Sequence, residues 1–492
     1  MSEDKKSTRV AIMGGGPGGY AAAFMANDLD LDVTLIDPSP NPGGVCLFRG
    51  CIPSKTLLHV AAVLTEAREA EHWGIKFTDP EIDLGRLRES KDNVVAKLTG
   101  GLGQLCKQRK VRYIQGRAAF EDSQTLRIIH DDGSEETLST DYTIVAAGSR
   151  PANLDEMFLE SDRMMDSTTA LEVDDIPDSL LVIGGGYIGL ELGSVYAALG
   201  SKVTVCEMAS SLLPGADKDL VKILHTRMDG ILHKIMLETK VAGIKEQKDG
   251  LKVTFDGAAA DPKEQVFDKV LVCIGRKPNS SGLGLSNTKV EIDQKGFVKV
   301  DSQRWTADPH ILAIGDIAGE PMLAHKASHE GRVAAEAIAG YRTTFEPNAI
   351  PAVVFTDPEV AWCGVTEDQA RAQGMKIKVA RFPWGASGRA LTLNRPEGLT
   401  KIITDPETEQ VLGMGIVGSG AGELIGEGVL AVEMGASAHD IGLTIHPHPT
   451  LGETIMESAD LIFGRSTHLY QRRKEVAKAK GKEASETKKG AL

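Results

Sequence analysis

Thr8–Asp37, TRVAIMGGGPGGYAAAFMANDLDLDVTLID, reads as an apolar strand, a glycine turn, an alanine-rich helix and a second strand that ends on an acid. Gly14, Gly16 and Gly19 have the G-x-G-x-x-G spacing, which lets a pyrophosphate approach the backbone and the helix N-terminus. That order is a βαβ dinucleotide-binding unit, and Asp37 suits a ribose hydroxyl. The same pattern returns in Ser179–Glu207, SLLVIGGGYIGLELGSVYAALGSKVTVCE, with Gly184, Gly186, Gly189 and a closing Glu207. One such turn is weak evidence. Two copies, each after a strand, before a helix and closed by an acid, point to two bound dinucleotides.

The 492 residues exceed one ordinary core, and about two to four domains are expected. A composition of 41% hydrophobic and 25% charged residues is that of a soluble globular protein, and a net charge of -14 argues against nucleic acid as a partner. No apolar run is read as long enough to span a membrane, and MSEDKKSTRV lacks the apolar core of a signal peptide, so a cytoplasmic protein without membrane contact is expected. Six cysteines do not make a secreted scaffold. They fit one reactive pair in a reducing compartment, with Cys106, Cys206, Cys273 and Cys363 buried and inert.

The reactive pair lies in Gly43–Lys55, GGVCLFRGCIPSK, where four residues separate Cys46 from Cys51. So small a ring removes little loop entropy from the unfolded chain, so the bond reads as one meant to open and close. Pro53 is expected at the first position of a helix running to roughly Gly74, and a helix N-terminus stabilises a thiolate at Cys51. Lys55 falls on the same face of that first turn. A cation there opposes the helix dipole, so a specific anionic partner is expected.

Further on, strand-like pieces lead to DYTIVAAGSRP, and a helix is expected near Asp217 to Leu232. Strands then run through KVLVCIGRKPN, and HILAIGDIAGEPMLAHKASHEG gives a strand, a Gly315-Asp316 turn and a helix. Past Tyr341 the mixture of strands and helices reads as a separate domain. In HPHPTLGETIMESADLI, Pro447 and Pro449 keep His446 and His448 out of a helix, and Thr450 with Glu453 spells a capping box for the helix that follows.

Taken together, GGVCLFRGCIPSK, the two glycine patterns, GRKPN, AIGDIAG, AHKASHEG and HPHPTLGE resemble the pyridine nucleotide-disulfide oxidoreductases over nearly the whole chain. The resemblance implies an α/β fold with two Rossmann-like dinucleotide-binding domains, a central region and a C-terminal α+β dimerisation domain. Its divisions would be an FAD-binding domain at 1–155, an NAD-binding domain at 156–275, a central region completing the FAD domain at 276–346, an interface domain at 347–465 and a basic, flexible tail at 466–492. A homodimer is implied.

The resemblance further implies FAD along the first glycine pattern, with Asp37 on its adenosine ribose, Asp316 near its ribityl chain and Gly148 in a turn beside it. Glu191 is the implied partner of Lys55. NAD takes the second pattern, with Gly275 of the GRKPN segment among its glycines. Glu207 accepts ribose hydroxyls and repels a 2′-phosphate, for which the following MASS offers no arginine. His448, from the partner subunit, is the implied acid/base on substrate thiols, oriented by Glu453 and supported by His446. Cys46 is the implied exposed interchange sulfur, and Cys51 the one beside the flavin. Two residues depart from the family pattern: AAGS stands where ATGS is usual, and Phe48 where asparagine is common.

The implied reaction is oxidation of protein-bound dihydrolipoamide to lipoamide with NAD+, through the disulfide and FAD, on lipoyl domains of 2-oxoacid dehydrogenase complexes. Its rivals are an NADPH-dependent reductase of glutathione or another disulfide, and a flavin-bearing binding subunit without catalysis. No metal is implied.

Overall fold

Uninterrupted apolar runs become parallel strands covered on both faces. In β1 (Lys6–Met13), Val10 to Met13 are buried, and the strand pairs parallel with β2 (Val33–Asp37) from Val10↔Val33 to Met13↔Ile36. Helix α1 (Pro17–Asp28) crosses between them, with Gly16 as N-cap and Pro17 at its start, where a missing N–H is harmless. The sheet extends past β2 to β3 (Arg112–Gln115). A hairpin of β4 (Arg117–Asp122) and β5 (Thr125–Ile129) joins antiparallel to β6 (Glu135–Val145), which lies parallel to β1. The late strand Ile311–Ala313 pairs with β6 and completes this first sheet. The structure is a computed structural model and describes residues 6–153 and 158–470. The expected tail lies outside them from residue 471 on.

The redox segment folds as two short-linked helices, α2 (Gly44–Arg49) and α3 (Cys51–Glu69), followed by a 3₁₀ turn at Ala70–Trp73. Helix α3 therefore begins on Cys51 itself, two residues before Pro53, and not after it. Strand-like pieces are expected between Gly74 and DYTIVAAGSRP; the strands come only from Arg112 on, and the long α4 (Leu84–Gln108), capped by Asp83 Oδ1 accepting from Arg86 N–H at 3.0 Å, precedes them. By length and composition, Gly44–Trp73 is also apolar enough to cross a membrane, against expectation. Here it is broken at Gly50, packs on α4 and reaches the second nucleotide unit through Lys55.

That second unit repeats the first. Strands Lys234–Met236, Lys202–Cys206, Ser179–Ile183, Lys269–Val272 and Met164–Met165 lie side by side in this order, all parallel. Helix α5 (Tyr187–Leu199) follows the second glycine turn, and α6 (Lys218–Ile231) occupies the stretch expected to be helical. An antiparallel sheet of Thr239–Gln247, Gly250–Gly257 and Glu264–Phe267 packs nearby. Helix α7 (Ala324–Ile338) lies against α1 so closely that a Cβ on Gly331 would meet Gly18 O at 2.5 Å.

The chain divides into two compact units, residues 1–214 with 228–347, and residues 215–227 with those from 348 on. The second unit is a five-stranded antiparallel sheet ordered Ala352–Val354, Glu359–Gly364, Val411–Gly418, Leu399–Thr404, Lys378–Pro383. Helices α8 (Glu367–Ala372), α9 (Gly388–Thr392), α10 (Ala421–Glu433), α11 (Ala438–Leu443) and α12 (Glu453–Ile462) belong to it. Trp384 is fully buried at its centre, and its indole N–H donates to Thr400 Oγ1 at 2.9 Å.

One buried cation organises this unit. Lys401 is 0% exposed, and its ammonium lies 2.6 Å from Asp217 Oδ2, 2.7 Å from Asp219 Oδ1 and 3.0 Å from Glu367 Oε1. Those three carboxylates have the spacing of a metal site, and the ammonium fills the place of the ion. Burial pushes the Asp219 carboxyl up, but hydrogen bonds from Lys401 and Arg381 outweigh it and hold it below the ordinary carboxylate range. A group depressed in this way contributes stability above its unfolded pKa of about 3.9, lost as pH falls through the folded value. Lys401→Met should therefore cost about 3–5 kcal/mol at pH 7. The deficit should shrink near pH 4, where the Asp219 carboxylate freed of its partner protonates. Urea unfolding at both pH values measures this, and a deficit independent of pH would contradict it.

Candidate functional site

The site starts from contact between two backbones. Gly43 N–H donates to Gly15 O at 2.7 Å, and a Cβ on Gly44, whose φ is +58°, would lie 2.5 Å from Gly16 Cα. Two successive glycines thus let the redox segment rest directly on the first dinucleotide turn. Gly50 then interrupts the helix, so that Cys46 sits on α2 and Cys51 on the first turn of α3; a Cβ at Gly50 would approach Val45 O to 2.8 Å. Phe48, the departure from the family pattern, covers Gly43, with its ring 3.0 Å from where a Cβ would stand.

Both cysteines are free thiols and are hydrogen-bonded to one another. The bond divides their acidity. Cys51 is lowered to about 7, first by the hydrogen bond from Cys46 and then by the charge of Lys55, against the opposing effect of burial. The same bond, with burial, raises Cys46 far above an ordinary thiol. In the chain Cys51 is exposed and Cys46 half-buried, the reverse of the expected order. Both thiols line one cavity.

Lys55 meets an anion: its ammonium is 2.8 Å from Glu191 Oε2, a carboxylate buried on α5. The pair joins the first turn of α3 to the helix after the second glycine pattern. The other four cysteines divide. Cys106, Cys206 and Cys363 are buried, with burial raising their thiols to about 11, 12 and 12, whereas Cys273 is only partly buried, contrary to expectation.

The cavity has a volume of about 810 Å³, at the upper end of the ~300–1,000 Å³ typical of ligand sites. Gly14, Gly16, Asp37, Cys46, Cys51 and Asp316 are among its lining residues, as are Lys55, Gly148 and Glu191. Its glycines differ in role. A Cβ on Gly14 would strike Ala146 O at 2.3 Å and one on Gly19 would strike Gly14 O at 1.8 Å, so these two close the turn, whereas Gly16 meets nothing nearer than 3.9 Å. The second turn repeats the division: Gly184 and Gly189 are tight, and Gly186 faces open space. Gly148, with φ +68°, and Gly275, with φ +124°, also have nothing within 4 Å. A pyrophosphate needs this arrangement, with the first and third glycines packed and the middle one open. The residues therefore fit FAD at the first turn and NAD at the second.

Each closing acid also holds its own turn. Asp37 accepts from Gly15 N–H at 2.6 Å and Ser39 N–H at 2.8 Å; Glu207 accepts from Gly185 N–H and Ala209 N–H, both at 2.6 Å. Asp316 accepts from Ser149 Oγ at 2.5 Å, and Arg276 Nε donates to that same Ser149 Oγ at 2.7 Å. Ser149 and Arg276 were quoted in AAGS and GRKPN without a role, and only the fold brings them to Asp316. Asn279 of the same motif donates to Ala147 O at 2.9 Å, so the backbone at the AAGS departure is held without a threonine.

A second set of groups lies on the other unit. His448 Nδ1 is 2.9 Å from Glu453 Oε1, and Glu453 Oε2 accepts from Thr450 N–H at 2.8 Å. The expected capping box is only half made: Glu453 reaches back to Thr450 N–H, but α12 is capped at Gly452 with no side-chain cap bond, and the Thr450 hydroxyl donates to Pro447 O. Burial would raise the Glu453 carboxyl, but Thr450 N–H and His448 together hold it low. An ionised carboxylate on Nδ1 keeps the proton there and leaves Nε2 as the base. With its side chain 74% exposed, His448 presents that nitrogen outward. His446 is instead sequestered, its Nδ1 on Thr444 O at 2.8 Å and its Nε2 on Glu427 Oε1 at 2.9 Å. His468 makes a further pair with the buried Glu457 at 2.6 Å, which the sequence reading did not anticipate.

Comparison with known proteins agrees with this geometry. Residues 8–331 match the pyridine nucleotide-disulphide oxidoreductase family, and residues 350–459 match its dimerisation domain. A dihydrolipoyl dehydrogenase from Haemophilus influenzae is 49% identical over 95% of this chain and 98% of its own length, and one from Geobacillus stearothermophilus is 44% identical over 94% and 97%. Among solved structures, LpdA from Mycobacterium tuberculosis superposes with a TM-score of 0.86 at 28% identity, covering 92% of this chain and 99% of that one. Two packed glycine turns, a thiol pair resting on the first of them and a matching dimerisation domain leave one conclusion: this chain belongs to the pyridine nucleotide-disulphide oxidoreductase family.

Proposed function

We propose that the protein oxidises protein-bound dihydrolipoamide to lipoamide with NAD+, and that Cys46, Cys51, Lys55, Glu191, His448 and Glu453 carry the chemistry. The observation behind this reading is the unequal thiol pair, with Cys51 lowered to about 7 beside Lys55 and Cys46 raised. Two equivalent thiols would not define which sulfur leaves as an anion. Relatives named dihydrolipoyl dehydrogenase over nearly full length supply the substrate.

In the oxidised enzyme Cys46 and Cys51 share a disulfide. His448 takes a proton from one substrate thiol, and the resulting thiolate attacks Cys46 Sγ; the Cys46–Cys51 bond breaks and Cys51 departs as thiolate. The second substrate thiol, deprotonated in turn, attacks the substrate sulfur bound to Cys46, closing lipoamide and releasing Cys46, which takes up one proton. Lys55, held by Glu191, stabilises the Cys51 anion. Gly16, Asp37, Gly148 and Asp316 would hold FAD, which would supply two-electron redox chemistry between the thiol pair and NAD+. Glu453 keeps the His448 proton on Nδ1, and Glu207 favours NAD over NADP by its charge.

Because His448 and Glu453 lie in the dimerisation domain, the dyad serves the thiol pair of the other protomer in this reading, and an isolated monomer is inactive. The partners are then lipoyl domains of 2-oxoacid dehydrogenase complexes, and a reactive thiol pair fits the reducing cytoplasm.

Five outcomes are expected. Dihydrolipoamide with NAD+ should turn over, and glutathione disulfide with NADPH should not; activity only in the second assay would reject the substrate. Cys46→Ser should abolish dithiol oxidation yet keep its flavin, and His448→Ala should lower kcat about 10²–10⁴-fold. In the reduced enzyme, alkylation of Cys51 should be half-maximal at a pH of about 7. Lys55→Met should move that midpoint up towards the ~8.5 of an ordinary thiol, since a stabilising cation is lost. An unmoved midpoint would remove Lys55 from this role.

A further inference from the structure

Beneath the Gly315–Ala318 turn lies a carboxylate that the chemistry above does not use. Glu330, on α7, is 0% exposed. Its Oε2 accepts from Gly315 N–H at 2.6 Å, and its Oε1 lies 2.9 Å from Arg304 Nη1 and 3.1 Å from Lys326 Nζ. Lys326, itself buried, donates to Gly319 O at 3.0 Å and reaches Gly315 O at 3.5 Å. The turn is thus gripped at both ends, its first N–H by Glu330 and the carbonyl just past its end by Lys326. Gly315 has φ +75°, and a Cβ there would stand 3.1 Å from Ala327 Cβ, so the turn sits tight on α7.

Stability alone accounts poorly for this group. The buried Glu330 and Lys326, with the partly buried Arg304, pay a desolvation penalty that well-packed apolar residues avoid, and such clusters are often replaced without loss. What the cluster does provide is a defined position for four residues with few hydrogen bonds of their own. Asp316 is one of them; it lines the cavity with Ala324 and Ala327 at the start of α7.

We propose that Glu330 and Lys326 are positioning residues for the flavin site, fixing the height and direction of the Gly315–Ala318 turn so that Asp316 meets the cofactor. The proposal rests on the reading that Asp316 contacts FAD. Oriented this way by backbone bonds rather than by its own side chain, Asp316 needs only Ser149 to complete its setting.

The test compares Lys326→Met, Glu330→Gln and Asp316→Ala with the parent holoenzyme. FAD affinity is read from flavin release on dilution, the NAD site from the KM for NAD+, and the fold from far-ultraviolet circular dichroism. Lys326→Met and Glu330→Gln should each weaken FAD binding at least tenfold, leave the KM for NAD+ within twofold and keep the circular dichroism. Lys326→Arg, which keeps a donor, should recover most of the affinity. Glu330→Gln leaves two cations uncompensated; if it fails to fold, Lys326→Met decides, because Glu330 there keeps Arg304 and Gly315 N–H. A folded Lys326→Met that binds FAD within twofold of the parent overturns the proposal. Asp316→Ala separates the two readings: unchanged FAD affinity in that variant defeats the Asp316 contact itself, whereas weakened affinity there with normal Lys326→Met defeats only the positioning role.

Discussion

The hydrogen bond from Gly43 N–H to Gly15 O, with Gly44 pressed against Gly16, is the constraint on which the rest of the site depends. A side chain at either of Gly44 or Gly19 would push apart the redox segment or the dinucleotide turn. Because the contact is backbone on backbone, no rotamer can absorb a change in it. Everything beyond follows from this contact: α3 starts at Cys51, its first turn aims Lys55 at α5, and Glu191 receives it. The thiol pair is thereby tied to both nucleotide units at once.

The asymmetry of the thiols is a consequence of the same geometry. Gly50 allows α2 to end and α3 to begin within one residue, which brings two thiols near enough to share a proton. Whichever sulfur has the cation becomes the better anion. Lys55 lies one helical turn after Cys51 and on its face, so the choice falls on Cys51. Placing a cation near the positive end of a helix is unfavourable by itself. The buried Glu191 offsets that cost, and this explains why lysine and glutamate from remote parts of the chain have to be present together.

The two nucleotide units were legible because glycine spacing reports a steric requirement that few other arrangements share. The 3.6-residue period of α4 was not legible, for reasons visible in its own residues. Its buried positions are Lys91, Val95, Thr99 and Cys106, of which a hydrophobic pattern detects only two, and Gly100, Gly101 and Gly103 interrupt it. The partial capping box at Glu453 shows another limit. Thr450 and Glu453 have the right spacing, but the helix starts only at Glu453, with Gly452 and not Thr450 at its cap position. Relative exposure of Cys46 and Cys51 depends on a cavity assembled from many distant segments, so no local pattern encodes it. The Glu330, Lys326 and Arg304 cluster was hidden in the same way: AHKASHEG was recognisable, but Arg304 and the Gly315 amide join it only in three dimensions.

The closing acids show why the two glycine turns should not be treated as interchangeable cradles with a detachable specificity residue. Asp37 and Glu207 bind the amides of Gly15 and Gly185, the second residue of each turn, at the same 2.6 Å. The longer glutamate reaches Gly185 from one residue beyond the end of its strand, whereas the shorter aspartate acts from the last residue of β2. Each acid therefore shapes the loop on which a pyrophosphate would lie, in addition to the ribose contact proposed for it. Replacing Glu207 to admit a 2′-phosphate would remove a repulsive charge and release Gly185 N–H in one step. In the proposed role of Glu207, preference for NAD and the conformation of its phosphate turn are thus held by a single carboxylate. A change of specificity would have to restore the turn by other means before the gain in electrostatics could appear.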